Sequence, residues 1–331
     1  MDRTPLSVSQ LSRRSLLGMA AGIPAVMALG ACHGVSAPAA ASGDVLKVGN
    51  QKGTIRSLMT SAGTLQGATY RTEWSEFPAA QHLLEALSAG AVDVGLVGDA
   101  PYLFDFINGS DLQVVSAVTY GDGSSVAIIV PPGSSIRSVA DLKGKRVATG
   151  KISIGHYLLL RALESAGLTT RDITPVFMAP SDAKAAFASG QIDAWSTWSP
   201  FLATAVLRDK ARVLASGNGL LKSHAYQIAT PKAIRDKQPQ LRDFLTRLDR
   251  AYQWENNHAS DFAAALSRDT GLPLDVALAT VSAMHPVTAP IDDGVVADAQ
   301  DIVHHLAEAG VAPTGPRPIE QAFAPAFRVK S

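Results

Sequence analysis

Cysteine occurs once in these 331 residues, as Cys32 near the N-terminus. The body of the chain therefore has no disulfide framework, no thiolate nucleophile and no cysteine metal site. Charge is scarce as well: Asp, Glu, Lys and Arg make up 18%, with 29 acidic residues against 29 basic. With Asp2, Arg3, Arg13 and Arg14 set aside as part of a leader, acids exceed bases by two, and nothing in that balance suits nucleic acid. Catalytic signatures are missing too. There is no G-x-S-x-G elbow, no H-E-x-x-H pair and no Walker A loop. Ser181-Asp182-Ala183-Lys184 matches S-x-x-K, but no S-D-N or K-T-G follows, so it reads as a helix start.

What is present begins with a leader. A polar stretch ending in Ser12-Arg13-Arg14 runs into an uncharged segment from Ser15 to Ala31, the layout of a secretory signal. The paired arginines before Ser15-Leu16-Leu17 resemble a twin-arginine signal. The apolar part is too short and glycine-rich to read as a membrane span. Leu29-Gly30-Ala31-Cys32 resembles a lipobox and makes Cys32 a candidate lipidation site, whereas Ala37-Pro38-Ala39-Ala40-Ala41 fits ordinary A-x-A cleavage. Both alternatives set residues 1–43 apart from the fold as signal and linker. Both place the protein in the periplasm, free or lipid-anchored.

The body, roughly 290 residues, is long for one core and comfortable for two. Its β-like runs alternate with helical stretches, which implies α/β architecture with largely parallel sheets. Ala86-Leu87-Ser88-Ala89-Gly90-Ala91-Val92-Asp93 recurs as Ala186-Phe187-Ala188-Ser189-Gly190-Gln191-Ile192-Asp193, each copy a helix, a glycine stop and a strand. Two similar lobes are expected: 44–128 with 228–331 as lobe 1, and 129–227 as lobe 2. Val126 to Val130 and Tyr226 to Thr230 are read as the crossover strands. The stretch after Pro231 is read as mostly amphipathic helix returning to lobe 1, with Leu241, Phe244, Leu245, Leu248 and Tyr252 on one face.

Open α/β sheets expose their ligand sites at the carboxyl ends of the strands. Those ends are Gln51 to Thr54, Glu76 to Pro78, Gly98 to Pro101, Gly150 to His156 and Trp195 to Pro200, and four of the five lead into a helix start suited to an anion. Each candidate also has a structural reading. Lys52 fits a solvated loop lysine, Asp99 and Ser153 fit helix caps, and Trp195 and Trp198 fit core aromatics as well as they fit an aromatic wall along a ligand. His304 and His305 point to different sides of one helix, and with His258 and His285 they read as surface or core residues; no metal or cofactor is expected.

At these same strand ends the chain resembles the aliphatic sulfonate-binding proteins of ABC importers, within the taurine and nitrate group. The resemblance covers about Leu46 to Pro286. It is carried by Val48-Gly49-Asn50-Gln51-Lys52-Gly53, Glu76-Phe77-Pro78-Ala79 with Leu84-Glu85-Ala86-Leu87, Val97-Gly98-Asp99-Ala100-Pro101, Asp141 to Lys145, His156 to Leu159 with Arg161 to Glu164, and Asp193-Ala194-Trp195 with Trp198-Ser199-Pro200. It implies a type II periplasmic binding protein fold, two α/β lobes joined by two crossover strands. It also implies a monomer that closes on a sulfonate and hands it to ABC permease and ATPase subunits. Carried over residue by residue, it puts Gln51, Gly98, Asp99, Ser153, His156, Trp195 and Trp198 at the cleft; Lys52, Pro78 and Ser125 complete the ligand-binding candidates. The chain departs from the family's G-S-N-V-H pattern at Ile152-Ser153-Ile154-Gly155-His156, and from W-D-P at Trp198-Ser199-Pro200. Two isoleucines gained and one carboxylate lost imply a less polar pocket that favours a longer apolar sulfonate over taurine. Taurine, nitrate or sulfate esters are the rival ligands. Enzymes of the same fold, thiamine-pyrimidine synthases and porphobilinogen deaminase, need cysteines that the mature body lacks.

Overall fold

The computed structural model describes residues 44–51, 55–222, 224–312 and 317–329. The elements run β1 (Val45–Gln51), α1 (Ile55–Ser61), β2 (Arg71–Phe77), α2 (Ala80–Ser88), β3 (Val94–Gly98), α3 (Asp99–Ile107), β4 (Gln113–Tyr120) and β5 (Val126–Val130). They continue as β6 (Arg146–Thr149), α4 (Ile154–Ser165), β7 (Thr174–Phe177), α5 (Pro180–Ala188), β8 (Ala194–Trp198), α6 (Phe201–Leu207), β9 (Arg212–Ser216) and β10 (His224–Ala229). The C-terminal part holds α7 (Pro231–Asp236), α8 (Gln238–Asn257), α9 (Ala259–Thr270), α10 (Leu274–Met284), β11 (Pro286–Ala289) and α11 (Asp293–Glu308). Among the described residues, no helix is long and apolar enough to cross a membrane.

Two sheets result. One orders its strands β2-β1-β3-β10-β4-β11 and the other β7-β6-β8-β5-β9. The first three strands of each are parallel and the fourth is antiparallel, so the second sheet repeats the plan of the first. The internal repeat falls at equivalent places. Gly90 and Gly190 end α2 and α5 with φ of +68° and +72°, a conformation in which a Cβ is strained. Asp93 and Asp193 then turn their carboxylates back onto the backbone N–H of Lys47 (2.7 Å) and Arg146 (2.8 Å), tying β3 to β1 and β8 to β6.

The two strands expected to cross between lobes each lie within one sheet, β5 in the second and β10 in the first. The chain changes sheet in the connections 121–125 and 217–223. Each expected crossover strand is half of a pair: β4 precedes β5 and β9 precedes β10, and those partners carry the chain to the point of crossing.

Strand alternation sorts the core into layers. Val147 and Ala194 face the α4 side of the second sheet, and their neighbours Ala148 and Trp195 face α5 and α6. In the first sheet, α2 and α3 cover one face, in a layer that runs on into the α4 side of the second sheet. The other face is closed by α1, α8 and α9 through Ile55, Leu58, Leu241, Phe244, Leu248 and Phe262. After Pro231, α8 and α9 thus pack on the first sheet. Between the lobes, Arg161 pairs with Asp301 (3.3 Å), His305 Nδ1 lies 3.4 Å from Glu164 Oε2, and Arg208 pairs with Asp275.

Candidate functional site

The start of α4 is the best-defined element of the cleft. Ser153 caps it: its hydroxyl donates to Gly150 O (2.7 Å) and accepts from His156 N (3.2 Å). Ser153 thus makes the helix cap that the sequence offered as one of its two readings. The Ile154 and Gly155 N–H groups remain, and helix geometry gives them no intrahelical partner. Gly155 is required by packing, because a Cβ there would stand 2.8 Å from Ser196 O. Ile152, just ahead, has φ of +57°, rare for a β-branched residue and a local store of strain. Its N–H donates to His156 Nδ1 (3.1 Å), which leaves the imidazole proton on Nε2. Burial, with Lys151 adding to it, lowers the His156 pKa to about 4, so the ring is a neutral donor at physiological pH. Thr149 ends β6 beside this turn, its Oγ1 buried with no hydrogen-bond partner.

The first sheet supplies a different rim. Gln51, half-buried at the end of β1, donates its amide to Leu96 O (3.1 Å). Asn50 donates to Glu76 Oε2 (2.9 Å), Arg56 pairs with Glu76 Oε1 (3.0 Å), and Arg56 N donates to Asn50 Oδ1 (3.3 Å). This cluster was not among the candidates, although Asn50 and Glu76 are register partners at two adjacent strand ends. Pro78 is exposed between β2 and α2, and Gly98 precedes α3. Asp99 is 1% exposed and spends its carboxylate on Ala100 N (2.7 Å) and His224 N (3.2 Å). Burial pushes its pKa up. Asp99 is thus a buried brace at the α3 start, in line with the structural one of its two sequence readings. Lys52 lies outside the described residues, as does Cys32 with the rest of the leader.

The aromatic wall also needs correction. Strand β8 runs on to Trp198, so Trp195 and Trp198, three apart, point to opposite faces. Trp195 is 1% exposed and packs between Phe187 and Phe201 in the core. Trp198 alone reaches the α4 start, its Cη2 3.7 Å from where a Cβ on Gly150 would stand. Ser125 sits in the crossover and accepts from Ser199 N (2.9 Å) through its carbonyl. Across the cleft, Gln81 Nε2 donates to Lys151 O (3.2 Å), linking the α2 start to the α4 turn.

Next to Ser199 and Pro200 lies a cavity of about 110 Å³, walled on the other side by Ile55, Leu58, Leu96 and residues of α8, α9 and α10. Its one carboxyl belongs to Glu255, 4% exposed, with no hydrogen-bond partner on Oε1. Desolvation raises the Glu255 pKa to about 8.

Two α/β lobes of matching strand order, meeting at the carboxyl ends of their strands, define the class: a type II periplasmic binding protein fold. The chain belongs to the NMT1/THI5-like family, whose profile matches residues 76–261. It is 35% identical to an Escherichia coli (strain K12) chain described as an aliphatic sulfonates-binding protein, over 263 residues, 78% of this chain and 82% of that one. It is similar in structure to the alkanesulfonate-binding protein SsuA from Xanthomonas axonopodis pv. citri bound to MOPS, with 33% identity and a TM-score of 0.79 over 85% of this chain and 98% of that one. The periplasmic aliphatic sulphonate binding protein SsuA from Escherichia coli matches at 31% identity and TM-score 0.79, over 88% and 95%.

Proposed function

We propose that this chain is an extracytoplasmic substrate-binding protein that holds a small aliphatic sulfonate between its lobes and delivers it to the permease and ATPase of an ABC importer, without catalysing a reaction. It acts in the periplasm as a monomer, with Cys32 its point of attachment if the leader is processed at the lipobox. The connections after β4 and after β9 join the lobes and act as the hinge about which they close on the ligand.

The observation that carries this reading is the start of α4. It offers the N–H groups of Ile154 and Gly155, and a neutral His156 with its proton on Nε2, with the indole of Trp198 beside the preceding Gly150. A sulfonate stays ionised across the physiological range and needs donors, not a proton, so a cluster of neutral donors at a helix's positive end fits it. The relatives described by their sulfonates support the same ligand class.

A thermal-shift screen of mature protein tests it, with alkanesulfonates of rising length, taurine, nitrate, sulfate esters and the matching alcohols. A ligand at a hundredfold excess over Kd stabilises the folded state by about 2.7 kcal/mol. Sulfonates are expected to shift the melting temperature and alcohols to leave it unchanged. Nitrate outranking every sulfonate, or an alcohol matching its sulfonate, would overturn the ligand class.

A further inference from the structure

We propose that the cavity beside Ser199 and Pro200 is the far half of the ligand pocket, and that it selects sulfonates whose opposite end carries an ammonium nitrogen, which Glu255 pairs. The inference rests on the sulfonate reading of the cleft.

The cavity joins the two lobes. Ser199 and Pro200 directly follow Trp198, the aromatic residue over the α4 start, whereas Glu255 comes from α8 on the first sheet. At about 110 Å³ it has room for three or four waters by the ~30 Å³ that each fills in the liquid, or for the last few heavy atoms of an organic chain. Its walls are mainly aliphatic and aromatic, which suits methylene groups. Apart from Glu255, the lining side chains that can bear charge are the phenols Tyr120 and Tyr252; Ser199, Thr270 and Thr280 add only hydroxyls. No cation among the described residues of that lining faces the acid, and its Oε1 stands without a partner.

A buried carboxyl left unpaired is costly, and an N–H⁺ donor removes that cost by supplying both a hydrogen bond and the opposite charge. The loss of an acid at position 199, which spoke against an amine, is therefore offset by an acid reaching the same cavity from α8. The lone buried acid in an otherwise uncharged pocket makes the site selective for one charge at one depth.

The test compares 3-aminopropanesulfonate with butane-1-sulfonate, equal in heavy atoms and differing by ammonium against methyl. Titration calorimetry on the intact mature protein is expected to give at least tenfold tighter binding of the amine. In two buffers of different ionisation enthalpy at pH 7, the amine releases close to one proton as Glu255 ionises, and butanesulfonate releases none. Glu255→Gln is expected to abolish the amine preference while holding butanesulfonate within threefold. Should that variant fail to fold, proton release by the unaltered protein decides. Butanesulfonate binding as tightly as the amine, with no proton released, overturns the ammonium site and leaves the sulfonate cleft standing; neither sulfonate binding overturns both.

Discussion

The two lobes share a strand order but differ in the buried groups whose pKa values burial moves. The lobe of the first sheet buries two acids, Asp99 at the α3 start and Glu255 on α8, both with pKa values raised mainly by burial, together with His224 of β10. The lobe of the second sheet buries a base, His156, whose pKa is lowered for the same reason. Desolvation acts on Asp99, Glu255 and His156, and it neutralises an acid by adding a proton and a base by removing one. The two lobes thus carry unlike buried chemistry: neutral donors around α4 in one, and an acid on α8 with no partner on Oε1 in the other.

The largest effect expected from this contrast is on stability against pH. Glu255 binds its proton to about pH 8 when folded, against an ordinary value of 4.5. Its favourable contribution is complete below 4.5 and is lost as pH rises from 4.5 to 8, a fall on the order of 5 kcal/mol at full extent. His156 titrates near 4 when folded, against 6.5 ordinarily, so stability is lost as pH falls from 6.5 toward 4, by about 3 kcal/mol. Urea unfolding across pH 4 to 9 is expected to show Glu255→Gln flattening the alkaline limb and His156→Gln the acid limb. The slopes are the readout, so a uniform loss from either substitution does not mimic the result. Both variants changing the same limb would break the comparison between lobes.

Next in size is the division between Trp195 and Trp198. Trp195→Ala removes a fully buried ring between Phe187 and Phe201 and is expected to cost about 4 kcal/mol in denaturant unfolding, by transfer and cavity terms together. Trp198→Ala, half-buried over Gly150, is expected to cost less than half as much and to weaken sulfonate binding, which Trp195→Ala in its folded fraction leaves unchanged. Equal costs would mean that the two indoles share one environment after all.

Much of this fold is legible in the sequence because its determinants are local. The helix, glycine and aspartate of the repeat mark the same junction twice, and the spacing of Leu241, Phe244, Leu248 and Tyr252 gives the buried face of α8. The same spacing extends to Glu255, three residues beyond Tyr252, so an acid on an apolar stripe was there to be read. What escaped is non-local. Trp198 looks like a loop residue until β5 pairs with β8 from Trp195 to Trp198 and turns a strand-to-loop step into continuous strand. In the sequence Ser153 and Asp99 fit a helix cap and a ligand group alike. Only their spatial neighbours, Gly150 O for one and His224 N for the other, show what each side chain bonds.

The smallest effect, and the sharpest test of the internal repeat, lies at Asp93 and Asp193. Each accepts a backbone N–H of the neighbouring strand, but their cationic partners differ. Asp93 takes Lys237, at the junction of α7 and α8, at 2.6 Å, with side chains 28% and 15% exposed for Lys237 and Asp93. Asp193 takes the guanidinium of Arg146 itself, through Nε (3.1 Å) and Nη2 (2.9 Å), at 45% and 32% exposure. The Arg146 hydrogen bonds hold the Asp193 carboxyl below the usual carboxylate range. Exposure screens the second pair more, whereas the first also ties α8 to the edge of β1, since Lys237 Nζ donates to Val45 O (2.8 Å) as well. Asp93→Asn is therefore expected to cost about 2 kcal/mol and Asp193→Asn about 1 kcal/mol in urea unfolding at pH 7. In 1 M salt the Asp193 cost is expected to shrink further and the Asp93 cost to persist, because a half-buried pair is screened less. If the two substitutions cost the same and respond alike to salt, the shared strand contact sets the energy and the cationic partners add nothing. The lobes would then be equivalent at their bases and differ only where they face the ligand.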